Sequence, residues 1–69
     1  MYAVVIEYDP ENGSYGATSP DFDNVFAIGK SEAEALARFR NALEGYFDFL
    51  REEGRPIPAP RSTVATIAV

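Results

Sequence analysis

The sequence predicts an α+β fold, β-β-β-α-β, with one helix packed on a small mixed sheet of order 3-2-1-4, and three observations carry that prediction. Short β-branched and aromatic runs alternate with turn-forming clusters in the first 29 residues. A single long segment with apolar residues spaced by three and four follows them. A second β-type run, Val64–Val69, closes the chain after a proline-rich connector. With 69 residues the chain makes one domain, residues 1–69.

Each element has a local cause. Tyr2 to Tyr8 reads as the first strand, with Tyr2, Val4, Ile6 and Tyr8 on one face and Ala3 and Val5 on the other. A strand apolar on both faces is usually interior to its sheet. Asp9-Pro10-Glu11-Asn12-Gly13-Ser14 is dense in turn formers, and Asn12-Gly13 suits positive φ. Tyr15 to Ser19 returns as an antiparallel strand, stopped by Pro20, which lacks an amide hydrogen. Asp21 to Asn24 is a second turn, and Val25 to Gly29 a short third strand.

The helix is the strongest signal. Ser31 and Glu34 stand at capping-box spacing, with Ser31 accepting the Glu34 amide and Glu34 reaching back to the Ser31 amide. Leu36, Phe39, Leu43, Tyr46, Phe47 and Leu50 form one core stripe, and Gly54 is a helix-stopping residue. Ala35, Ala42 and Phe49 lie on a shoulder beside that stripe, too wide for one small sheet to cover. They are candidates for an oligomer interface; the alternative for Phe49 is packing on the connector, against Ile57 or Pro58. Arg55 to Pro60 is a stiff extended connector. Because the helix runs back along the sheet, a right-handed crossover places Val64–Val69 beside the first strand and parallel to it.

Composition narrows the function. There is no cysteine and no histidine, which removes disulfides, thiolate metal sites and the commonest general base. A core this small is marginal by itself, so self-association is the remaining route to extra stability, and a homo-oligomer is expected. No secretion signal or membrane span is visible, which makes the cytoplasm the expected compartment.

The net charge of −5 is unevenly placed. Residues 1–29 hold Glu7, Asp9, Glu11, Asp21 and Asp23 and no base, whereas residues 30–69 hold six acids and six bases. Phosphate would be repelled, so direct nucleic-acid binding by this chain is disfavoured. Two readings of the acidic front remain open: ordinary solubility, or a docking face for a cationic partner. Candidate contacts on the second reading are Asp9, Glu11, Asp21, Phe22 and Asp23, of which Phe22 equally suits a core position. Arg38 and Arg40 stand four residues from Glu34 and Glu44, as in exposed ion pairs, not as a nucleic-acid stripe.

Taken in order, Tyr2 to Glu7, Pro20-Asp21-Phe22, Ala27-Ile28-Gly29, the helix start Ser31-Glu32-Ala33-Glu34-Ala35-Leu36 and Gly54-Arg55-Pro56-Ile57-Pro58-Ala59-Pro60 resemble the HicB family of type II antitoxins. The resemblance spans essentially the whole chain. It implies a partial ribonuclease-H-like sheet and a partner, a small basic HicA-type toxin that cuts mRNA. Two departures stand out: Asp23-Asn24 replaces a usual glycine after the turn, and the residues after Gly54 leave no room for the DNA-binding module many relatives carry.

The ribonuclease-H-like implication raises metal-dependent hydrolysis. Asp9 and Glu11 fall at one end of the first hairpin and Asp21 and Asp23 at the other, about 17 Å apart at ~3.3 Å per residue. Two-metal chemistry needs carboxylates converging on ions about 3.5–4 Å apart. Ser14, Ser19 and Ser31 have no histidine to activate them. The expectation is therefore no catalytic residue, no metal and no cofactor. The leading function is toxin neutralisation, with an orphan regulatory or ligand-sensing domain of the same fold as the alternative and a residual nuclease behind it.

Overall fold

The computed structural model describes residues 1–69. Three strands, β1 (Val5–Asp9), β2 (Ser14–Ser19) and β3 (Phe22–Gly29), precede one helix, α1 (Glu32–Glu52). The strands form an antiparallel meander in the order β1-β2-β3, with Tyr8 opposite Tyr15 and Ala17 opposite Ala27. Helix α1 lies across one face, mostly over β3.

The first turn follows the sequence reading. Gly13 adopts φ 61°, a conformation costly for side-chain-bearing residues. Asp9 fixes the same turn: its carboxylate accepts from the Glu11 amide at 3.0 Å and from Asn12 Nδ2 at 2.7 Å. The second turn differs from expectation. It is tighter, at Pro20-Asp21, and β3 begins at Phe22, three residues before the predicted start. Thr18 pairs with Phe26 but Ser19 with Phe22, so Asp23, Asn24 and Val25 are the extra residues of a bulge. No residue other than glycine has positive φ, so Asn24 needs no left-handed conformation to stand where the resemblance leads one to expect a glycine.

Helix α1 is closed at both ends. Ser31 Oγ accepts from the Glu34 amide at 3.0 Å, as the capping spacing predicts. Glu34 reaches one residue further back than expected, accepting from the Lys30 amide at 2.8 Å. At the other end Gly54 has φ 67°, its amide donates to the Arg51 carbonyl, and the Arg55 amide donates to the Leu50 carbonyl. That pair of bonds is a Schellman motif, and it satisfies carbonyls that the helix itself leaves free. On the surface, Arg38–Glu34 and Arg40–Glu44 form the expected ion pairs at 3.6 and 3.4 Å. Exposed pairs of this spacing contribute about 0.3–0.5 kcal/mol each.

The core gathers Ala17, Phe22, Val25, Ala27, Ala35, Phe39 and Leu43, ringed by Tyr2, Val4, Ile6, Tyr15, Tyr46 and Phe47. Tyr2, Phe22, Tyr46 and Phe47 pack edge-on or tilted, with ring centroids 5.3–6.1 Å apart. The stripe holds at Phe39, Leu43 and Leu50 and departs from the sequence reading in the first turn. Ala35 is fully buried and belongs to the core, whereas Leu36 is half-exposed. The reason is Gly29: a Cβ there would stand 2.5 Å from the Ala35 nitrogen, so a glycine on β3 lets the first helical turn sit directly on the strand.

The predicted fourth strand is not formed within the chain. Val64–Val69 has no secondary structure, so the order 3-2-1-4 stops at 3-2-1 and β1 lies at the sheet edge, not in its interior. The parallel strand that the ribonuclease-H-like likeness requires is thus missing from the isolated chain. The physical cause lies in the connector. Tyr2 Oη donates to the Pro58 carbonyl at 2.6 Å, and Asp21 accepts from the Arg61 amide at 3.2 Å and from Ser62 Oγ at 2.8 Å. These bonds lead the chain past Tyr2 to the β2–β3 turn, away from the free side of β1.

Candidate protein interface

The predicted site residues separate into two groups at opposite ends of the sheet. Asp9 and Glu11 occupy the β1–β2 turn, where Asp9 is already committed to capping it. Asp21 and Asp23 stand at the β2–β3 turn and the bulge. Asp21 is the connector's anchor, and the Ser62 hydroxyl, followed by the Arg61 amide, holds its carboxyl below the ordinary carboxylate value. Phe22 is buried in the core with Tyr2, Tyr46 and Phe47, so it supports the turn from beneath. Asp23 is exposed. Of the helix shoulder, Ala35 is enclosed by its own chain, while Ala42 and Phe49 are exposed on the flank nearer β3.

The feature that joins the acids into a surface is the face of the sheet turned away from α1. Alternation along β3 sends Val25, Ala27 and Gly29 inward and Phe26 and Ile28 outward, where those two side chains are 67% and 55% exposed. Pairing aligns Val5, Thr18 and Phe26 in one row across this face and Glu7, Gly16 and Ile28 in the next. Gly16 has no steric need to be glycine: the nearest atom to an added Cβ would be 4.0 Å away. Its effect is a shallow depression of about 380 Å³ between Glu7, Asp9 and Ile28.

Three exposed apolar side chains (Val5, Phe26, Ile28) therefore sit in an acidic setting. All five carboxylates of residues 1–29 belong to the sheet layer and its turns, and no base does. Aromatic and aliphatic anchors inside a polar rim are the usual anatomy of a recognition surface. The sequence contained the signal for this face: Val25-Phe26-Ala27-Ile28 is apolar at consecutive positions, which buries one set of side chains and presents the other. No group of three acidic side chains is placed to hold a metal ion together. No helix is long and apolar enough to cross a membrane.

These features define a small acidic α+β domain that displays an apolar sheet face. A family model described as a HicB-like antitoxin of bacterial toxin–antitoxin systems matches residues 1–68, and the chain belongs to that family. It is also similar to a UPF0150 protein of Thermoplasma acidophilum, 30% identical over 66 residues that cover 96% of this chain and 94% of the relative. No solved structure matches it significantly.

Proposed function

We propose that this chain is a non-catalytic antitoxin that neutralises a small basic, HicA-type mRNA-cleaving toxin by covering the toxin's RNA-binding surface with the acidic sheet face. The observation that carries this reading is the one-sided charge: every net negative charge resides in the layer that also exposes Phe26 and Ile28. A surface that binds RNA is cationic, so its natural occluder is an anionic surface of similar extent. Glu7, beside the Gly16 depression, is placed to receive a lysine or arginine side chain, with Ile28 against its aliphatic stem. Asp23 extends the acidic rim towards the β2–β3 turn, and Glu11 extends it at the opposite end. The site of action is the cytoplasm, where mRNA is cut.

The test is binding of the purified chain to a small basic protein sought first in the neighbouring open reading frame, by calorimetry, with that protein's RNA cleavage as the functional readout. Phe26→Asp should weaken binding at least tenfold and restore cleavage, while leaving the circular dichroism spectrum unchanged. If Phe26→Asp and Glu7→Lys both bind as tightly as the unaltered chain, the sheet face is not the interface.

A further inference from the structure

The flank of the domain beside residues 1–4, the segment that leads into β1, contains an open apolar groove of about 670 Å³. Tyr2 and Val4 form its floor, and Leu36, Leu43 and Phe47 of α1 form its roof. This is the space a fourth strand would occupy, because it continues the sheet past β1 under the overhanging helix. β1 continues that segment with an unpaired backbone edge, and residues 1–8 contain neither lysine nor proline to blunt it. Leu36, which the helical periodicity assigns to a core, faces this groove and is 48% exposed for want of a neighbour.

The same chain carries an unpaired strand. Val64-Ala65-Thr66-Ile67-Ala68-Val69 has no charged side chain and is rich in β-branched residues, and Val64, Ile67 and Val69 are exposed. It cannot simply fold into its own groove while the connector is anchored. Ser62 is held at the β2–β3 turn, roughly 12 Å across the sheet from the position outside β1 at ~4.8 Å per strand. Thr63 and Val64 span at most about 7 Å.

We propose that two copies of this chain exchange these segments, each laying Val64–Val69 along the β1 edge and into the groove of the other. Ala65, Ile67 and Val69 form the more apolar face of the segment and enter beneath Leu36 and Phe47. The exchange makes β1 an interior strand and covers Leu36. It leaves the acidic sheet face free, so it is independent of the toxin-binding reading.

The experiment measures mass by light scattering and contacts by isotope-filtered nuclear Overhauser spectroscopy on a mixture of labelled and unlabelled full-length chains. The expected mass is twice the 7.6 kDa of one chain, with intermolecular contacts from Ile67 to Val4 and Leu36. Ile67→Asp in the full chain, and truncation after Ser62, should each give a folded monomer, whereas Phe49→Glu on the opposite flank should remain dimeric. A monomeric unaltered chain, contacts from Ile67 confined to its own chain, or a dimer that survives Ile67→Asp would each overturn the proposal.

Discussion

Replacing Gly29 by alanine tests the docking of helix on sheet, the contact around which the rest of the domain is arranged. The added Cβ would stand 2.5 Å from the Ala35 nitrogen and 2.9 Å from its Cα and from the Glu34 carbonyl carbon. All three are backbone atoms of the first helical turn, so no side chain can rotate away and the helix itself must lift. Overpacking of this kind costs about 1–3 kcal/mol. Against it stands the smaller conformational freedom of alanine in the unfolded chain, worth about 0.4–1 kcal/mol, since Gly29 has no positive φ. The steric cost wins, leaving a net loss of about 1–2 kcal/mol. For a domain of this size each kcal/mol moves Tm by about 4–8 °C, so a fall of roughly 5–15 °C is expected. Thermal melts followed by circular dichroism at 222 nm, at one protein concentration, measure it. An unchanged or higher Tm would refute the claim that Gly29 is there for close approach.

Other consequences concern the cap, the anchor and the core. Ser31→Ala removes the acceptor for the Glu34 amide and should cost about 1 kcal/mol, whereas Ser31→Asp should be nearly neutral; chemical denaturation distinguishes them. Asp21 has a lowered pKa in the fold, so its contribution is present above the unfolded value and is lost as pH falls through the folded one. The Arg61 amide and the Ser62 resonances should therefore shift below the ordinary aspartate range, and Asp21→Asn should abolish that transition in a pH titration by nuclear magnetic resonance. Phe39→Ala deletes the most deeply buried large side chain and should cost about 3–5 kcal/mol, enough to leave a domain this small largely unfolded at 37 °C.

The parts of the fold written in the sequence are those with local causes. Ser31 and Gly54 bound the helix because capping is decided within a few residues, and Gly13 marks its turn for the same reason. The β2–β3 turn was harder to read because Asp23-Asn24 has turn composition yet sits in a bulge, where the extra residues are set by pairing with Thr18 and Ser19. Ala35 is buried because Gly29, a residue in a different element, admits the first helical turn closely, while Leu36 is left facing an unfilled groove. Val64–Val69 has the composition of a strand, but the residues leading into it are held at the β2–β3 turn by Asp21, some forty residues earlier in sequence. The acidic character of the front half was plain from composition. What was not visible was that Asp9 would be occupied by its own turn and Asp21 by the distant connector, or that Phe26 and Ile28 would supply the exposed apolar centre.

The claim that an anionic sheet face seeks a cationic protein is tested most directly by the salt dependence of association with the basic partner, measured by stopped-flow mixing. Electrostatic steering predicts an on-rate that falls by about tenfold or more from low to high ionic strength, with RNA failing to bind the chain alone at physiological salt. An on-rate indifferent to salt, together with tight binding of RNA by the isolated chain, would contradict it.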